Sequence, residues 1–329
     1  MIKKILLFRT DRIGDLLFTC PTILTLKNHV NDCKLILVTS EKNYKYAKSF
    51  RFIDEVLLFP KRGLLNKFRF LINLYKLKFD RIFIFDGKDR SIITSIFLRS
   101  KNKVAKIVNR KQAFFCKLFK IKFSYDLLGK DLNDLHEKLL NYSGIDKQIS
   151  NFQFLKHKDD NGFSSKIPLD NYIQVHLDEK WFSSTYIKSY KDISPSYEEF
   201  SNFIKILSDK KNVLITTGLE KNNIIEQLEL NSTSQPSKNI FINNIKENIV
   251  IVNNLTLLDI ESVLRKTKTI ITCHGGVTQA AASLNVKIID IVEQSKEDLC
   301  KRYSLYIKNY YSVYRDKFSI IKNRILQLI

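Results

Sequence analysis

Seven residues near the start of the chain, Arg9-Thr-Asp-Arg-Ile-Gly-Asp15, gather two carboxylates, two guanidiniums and a glycine. They stand where the apolar run Ile5–Phe8 gives way to a helical pattern beginning at Leu16. A carboxylate on the first turn of a helix is fixed by the backbone and can take a proton from a hydroxyl. Asp15 is therefore the candidate general base, with Asp11 in reserve. An aspartate that only stabilises the helix end fits the same position equally well. Because a helix N-terminus favours the ionised form, Asp15 would suit an acceptor hydroxyl that loses its proton late. Arg9 and Arg12 are candidates for orienting acceptor anions.

A second stretch, Thr269-Ile-Ile-Thr-Cys-His-Gly-Gly-Val-Thr-Gln-Ala-Ala-Ala282, ends a β run, turns on two glycines and starts a helix of small residues. Gly275 and Gly276 would let backbone N–H groups approach a pyrophosphate while the helix end adds partial positive charge. An ordinary strand–turn–helix connection also uses glycine in this way. His274, beside Cys273, reads more simply as a turn residue than as a catalytic one. Lys180, beside Trp181, could place an ammonium on a phosphate.

Positioning these residues requires a scaffold, and the hydrophobic pattern supplies one. Strands are expected at Lys4–Phe8, Lys34–Thr39, Glu55–Phe59, Arg81–Asp86 and Val104–Val108, with helices at 16–28, 43–49, 64–77 and 92–98 between them. After a polar stretch at 151–168 the rhythm resumes. Strands are expected there at Tyr172–Leu177, 212–217, 248–252, 269–272 and Lys287–Val292, with helices at 197–208, 224–230, 257–265 and 278–284. Ser196-x-x-Glu199 and Thr256-x-x-Asp259 read as capping boxes. The tail from Lys317 reads as a last amphipathic helix. The pattern is α/β: two Rossmann-like, doubly wound domains, 1–160 and 161–312, facing a cleft.

The 329 residues are 44% hydrophobic, enough for two real cores. Net charge is +21, and residues 61–122 hold 18 basic against 3 acidic residues, a net of +15. That asymmetry points to an anionic partner. Five scattered cysteines with no C-x-x-C pair argue against a disulfide framework or zinc site. No signal pattern follows Met1, and no apolar run approaches the ~18–20 residues of a membrane span, so a soluble or peripheral cytoplasmic protein is expected. The chain lacks G-x-G-x-x-G, Walker A, H-E-x-x-H, EF-hand and D-x-D patterns, which argues against a dehydrogenase and against a bound metal. Nor does it carry an RRM or KH signature, so no nucleic-acid partner is expected.

Taken together these landmarks resemble glycosyltransferase family 9, the ADP-heptose:lipopolysaccharide heptosyltransferases. The resemblance rests on Arg9–Asp15 with Pro21 and Leu26, on His136, Leu139, Leu140, Gly144 and Ile145, and on the turn-helix from Gly275. It implies a GT-B fold with an N-terminal acceptor domain, a C-terminal donor domain and a final helix, 313–329, packing back on the first. It further implies an inverting, metal-independent transfer with no cofactor, from an ADP-linked sugar to an envelope glycolipid such as the lipopolysaccharide core. Asp15 matches the family's proposed base. Lys180, His274, Gly275, Gly276, Val277, Thr278 and Gln279 match donor-contacting positions, as do Thr217, Gly218 and Glu220 near the nucleoside. The family's loop reads Asp-x-Gly-x-x-His, and here its ends are His274 and Gln279, which bears on which sugar is held. The basic segment 61–122, with Lys67 and Arg69 interleaved among Phe68, Phe70 and Leu71, would meet an anionic acceptor at the inner face of the cytoplasmic membrane. A monomer is expected. A non-catalytic member of this fold that binds glycans or anionic polymers is the alternative.

Overall fold

The computed structural model describes residues 2–159, 161–182, 193–219 and 222–329. The chain divides into two compact units, Met1–Asp159 and Asp160–Ile329.

In the first unit six strands form a parallel sheet: β1 (Lys3–Arg9), β2 (Cys33–Thr39), β3 (Glu55–Leu58), β4 (Arg81–Ile84), β5 (Asn102–Ile107) and β6 (Lys122–Tyr125). Their order is β3-β2-β1-β4-β5-β6. The connecting helices are α1 (Ile13–His29), α2 (Glu41–Ser49), α3 (Leu64–Leu77), α4 (Asp89–Ile96), α5 (Arg110–Leu118) and α6 (Leu132–Tyr142). Alternate strand residues make each face. Leu6, Phe8, Ile36, Val38, Ile82 and Ile84 lie in one core with Leu74 of α3, Ile92 of α4 and Cys116 of α5. In a separate aromatic group, Phe83 stacks on Phe85, and His136 of α6 packs against Phe85 and Phe18. Helix α1 is buried from Leu16 to Leu26, as a helix apolar all round must be.

The second unit has a mixed sheet in the order β14-β13-β12-β7-β8-β11-β10-β9. Its strands are β7 (Tyr172–Leu177), β8 (Val213–Thr217), β9 (Ser232–Ser237), β10 (Ile240–Asn243), β11 (Ile249–Val252), β12 (Thr267–Cys273), β13 (Lys287–Val292) and β14 (Tyr310–Tyr314). Among the described residues only the hairpin strands β9 and β10 run antiparallel to their neighbours. The helices are α7 (Tyr197–Lys210), α8 (Asn223–Leu230), α9 (Leu257–Leu264), α10 (Gly276–Ser283), α11 (Glu297–Arg302) and α12 (Phe318–Gln327). Both capping boxes form, at Ser196/Glu199 and Thr256/Asp259.

Several elements escape the sequence pattern. β6 is four half-exposed residues, and β9, Ser-Thr-Ser-Gln-Pro-Ser, is an exposed polar edge whose strand state comes from pairing rather than propensity. The final helix has a definite seat within its own unit. α12 buries Phe318, Ile321 and Ile325 in the core of the second unit with Trp181, Phe200 and Phe203. An amphipathic stripe shows that a helix packs but not upon what, and strand β14 delivers this one to its own sheet.

Because Phe318 fills a closed aromatic cluster, Phe318→Ala should cost the second unit about 3–5 kcal/mol in urea unfolding of the full chain. A loss below about 1 kcal/mol would show that the helix is not part of that core.

Candidate active site

The chemistry-bearing residues collect at one kind of place in each unit. In an open parallel sheet the carboxyl ends of strands leave a crevice where the strand order reverses. In the first sheet that point lies between β1 and β4, and in the second between β7 and β12.

At the first point the loop after β1 is gripped from several sides. Arg9, only 1% exposed, donates from Nε to the Asp15 carbonyl at 2.9 Å and from Nη1 to the Phe85 carbonyl at 2.5 Å. The same guanidinium meets the carboxylates of Asp11 at 3.2 Å and Asp15 at 3.6 Å. From the end of β4, buried Asp86 accepts from the Thr10 N–H and hydroxyl, the Ser91 hydroxyl and the Lys88 N–H. Arg90 donates to the Thr10 carbonyl at 3.0 Å, and Asn43 to the Asp11 carbonyl at 3.0 Å. Asp15 stands half-exposed on the first turn of α1, as expected.

Asp11 is the unusual group. One oxygen faces Arg9, while Oδ1 is buried with no hydrogen-bond partner among the described residues. Burial pushes its carboxyl up to about 6; the Arg9 cation pulls the other way, and the Asp15 and Asp86 charges add to the rise. His136, packed nearby, accepts or donates at Nδ1 with the Thr22 hydroxyl at 2.9 Å. Burial, then Arg9 and Lys106, hold it well below the ordinary histidine range, so it is neutral and structural.

At the second point, Lys180 follows β7 on a short 3-10 turn capped by the Asp178 side chain, which accepts from the Lys180 N–H at 3.0 Å. Its ammonium donates to the His274 carbonyl and lies 3.5 Å from the Asp178 carboxylate. Burial raises the Asp178 carboxyl above its usual range, and the Lys180 charge opposes that rise. A Cβ on Gly275 would sit 2.6 Å from the Lys180 ammonium, so any larger residue there would push this long side chain aside. Arg315, at the end of β14, donates to the Lys180 carbonyl at 2.8 Å and fixes the turn from beneath. Gly276 and Val277 head α10, where N–H groups have no intrahelical acceptor. Thr217 ends the adjacent strand β8 and Gly218 follows it.

His274 is held by a fully buried carboxylate. Its Nδ1 lies 2.6 Å from Asp290, which also accepts from the Tyr310 hydroxyl at 2.8 Å and the Thr278 hydroxyl at 3.3 Å. The ring therefore carries its proton on Nδ1 in the neutral state and leaves Nε2 for another group.

Several expected roles change. Arg9 is too buried to meet an acceptor and instead positions both carboxylates. The Gly275 N–H is taken by the Thr278 hydroxyl at 3.1 Å, and Thr278 itself is fully buried. Gln279 is 2% exposed: its amide donates to the Tyr303 carbonyl and accepts from the Tyr306 hydroxyl, so it braces the 303–306 segment rather than a ligand. Arg12 is exposed on the loop. Lys67 and Arg69 are exposed on α3, after strand β3, which β2 separates from β1. Glu220 lies outside the described residues. Asp86, Asp290 and Arg315 were not anticipated; the local signal is a charged residue just beyond a strand for Asp86 and Arg315, and one inside the apolar strand β13 for Asp290.

No family model matches the sequence, and no curated protein matches it. Solved structures do match in fold. A glycosyl transferase family 9 protein from Veillonella parvula is 15% identical at a TM-score of 0.71, covering 99% of this chain and 91% of its own. E. coli heptosyltransferase WaaC, solved with ADP-2-deoxy-2-fluoro heptose, is 14% identical at 0.69, covering 99% and 100%. E. coli ADP-heptose lps heptosyltransferase II is 12% identical at 0.66, covering 98% and 96%. The chain thus has the GT-B fold of those transferases, two Rossmann-like units joined in one chain.

The strained carboxyl of Asp11 gives a test. Its pKa is raised from 3.8 to about 6, so the folded state is penalised above that range, and the penalty fades as pH falls toward 4. Asp11→Asn should therefore stabilise the protein by about 2–3 kcal/mol at pH 7.5 and by little at pH 4.5, read as denaturation midpoints. Equal effects at both pH values would refute a buried, penalised carboxylate.

Proposed function

We propose that the protein is an inverting glycosyltransferase that moves a sugar, heptose or a relative, from a nucleotide diphosphate to an envelope glycolipid. The observation that carries this reading is the Lys180 ammonium clasped to the His274 carbonyl beside the head of α10, in a fold shared with heptosyltransferases. An ammonium and unsatisfied helix N–H groups at a sheet's switch point form a cradle for a diphosphate. As the bond from the anomeric carbon to the diphosphate breaks, negative charge grows on the leaving oxygen, and these groups stabilise it. That role needs no metal. Among the described residues no three His, Cys, Asp or Glu side chains gather into a metal-binding group.

Asp15 takes the proton of the acceptor hydroxyl as that oxygen attacks the anomeric carbon from the side opposite the diphosphate. Arg9 fixes the carboxylate's direction by holding both its side chain and its backbone carbonyl. Asp11, with its carboxyl near 6, is the second acceptor for the proton. Arg12, exposed on the same loop, meets acceptor anions. His274 presents Nε2 toward the donor sugar in place of an acidic residue, which favours a donor other than the family's usual heptose. The acceptor is an anionic glycolipid met through the basic segment 61–122 at the inner face of the cytoplasmic membrane. No helix among the described residues is long and apolar enough to cross a bilayer.

Two variants test the two half-reactions. Lys180→Met should weaken ADP or UDP binding at least about tenfold by isothermal titration. Asp15→Asn should keep that binding and lower turnover by about 10²–10⁴. A wild-type protein that binds no nucleoside diphosphate would instead be a glycan or anionic-polymer binder on the same fold. Near-normal turnover in Asp15→Asn would remove Asp15 as the base.

A further inference from the structure

Helix α3 carries two apolar stripes where packing needs one. At 3.6 residues per turn, Phe70, Leu71, Leu74 and Leu77 fall within about 120° of arc, and these four pack against the sheet. Leu64, Leu65, Phe68, Ile72 and Tyr75 fall within about 100° on a different side. That second stripe faces outward: Leu64 is 86% exposed, Leu65 74% and Phe68 61%. A surface helix ordinarily turns charged and polar groups to solvent on such a face.

The neighbouring helices extend the pattern. Ile92 of α4 and Ala113 and Cys116 of α5 join the core that α3 covers, so all three helices lie on one face of the sheet. Their outer sides again expose large apolar groups, among them Phe97 just after α4, and Phe114 and Leu118 of α5. Arg69, Lys76, Arg110, Lys111 and Lys117 stand exposed among them. Residues 61–122 include only three acids, Asp80, Asp86 and Asp89. Asp86 is buried, and Asp89 accepts from Gln112.

We infer that the outer face of the α3–α5 layer docks flat on an anionic lipid bilayer, with Leu64, Leu65 and Phe68 entering the boundary between headgroups and acyl chains. Aliphatic and aromatic side chains bordered by lysine and arginine match both layers of such a surface at once. A second copy of the chain fits poorly, because it would bring together two copies of a segment, 61–122, whose net charge is +15. A nucleic acid would answer the charge but not the exposed leucines. The inference deepens the membrane part of the reading above, and its test uses neither donor nor acceptor. Its failure therefore leaves the transferase reading standing, and the reverse also holds.

The test is co-sedimentation of the full chain with vesicles of phosphatidylcholine containing phosphatidylglycerol, beside vesicles of phosphatidylcholine alone. Wild type should bind the mixed vesicles and leave the neutral ones. The double variant Leu65→Ser, Phe68→Ser should bind the mixed vesicles about tenfold more weakly, with an unchanged unfolding midpoint because both positions are exposed. Three results would overturn the inference: a variant that binds as wild type does, a wild type indifferent to phosphatidylglycerol, or a wild-type dimer that the substitutions convert to monomer.

Discussion

A guanidinium cannot be buried without acceptors around it, and Arg9 is the buried guanidinium on which the first unit's site depends. Leaving such a charge unpaired in the interior costs several kcal/mol, roughly what an entire core side chain contributes. The chain meets this demand by bringing the Phe85 carbonyl from beyond β4, the Asp15 carbonyl from the start of α1, and two carboxylates to one group. The loop between β1 and α1 is thereby held in one shape. One result is a frustrated carboxyl at Asp11, with an oxygen that has no partner.

The second unit solves a related problem with another cation. Lys180 is drawn to a backbone carbonyl at the turn after β12, and Gly275 leaves room for it. Beneath that turn, buried Asp290 gathers the imidazole of His274 and the hydroxyls of Tyr310 and Thr278. Burial, reinforced by the Asp290 charge, keeps the Tyr310 phenol far above its usual range, so it stays a hydrogen-bond donor. Each unit therefore gathers paired charges at its switch point, Arg9 with Asp11 and Asp15 in the first and Lys180 with Asp178 in the second.

The helical layer over one face of the first sheet shows that composition alone is ambiguous about surfaces. The interleaving of Lys67 and Arg69 with Phe68, Phe70 and Leu71 fits a helix packed on a sheet and a helix lying in a headgroup region. In the folded protein Phe70 and Leu71 go inward while Phe68 goes outward, so α3 packs on the sheet through one stripe and exposes another. Lys67 and Arg69 are then surface charges on a neighbouring helix rather than parts of the loop at Asp15.

Local order was legible in the chain. The alternation of apolar runs with amphipathic stretches, the two capping boxes, the Gly-Asp pair at a helix start and the di-glycine turn each involve residues a few positions apart. Their physics is therefore written in consecutive letters. What depended on distant partners was not legible. Arg9 read as a candidate for orienting acceptor anions, and only the fold shows Phe85 and the two carboxylates enclosing it. Gln279 read as a donor contact until Tyr303 and Tyr306 took its amide. Asp86, Asp290 and Arg315 gave no sign of importance, because each acts on a residue that only sheet order brings near. The last helix announced its apolar stripe but not its destination, and β9 became a strand through β10 alone. Propensity, periodicity and capping are short-range forces, and a single sequence carries them; burial, charge pairing and strand adjacency arise only when remote segments meet.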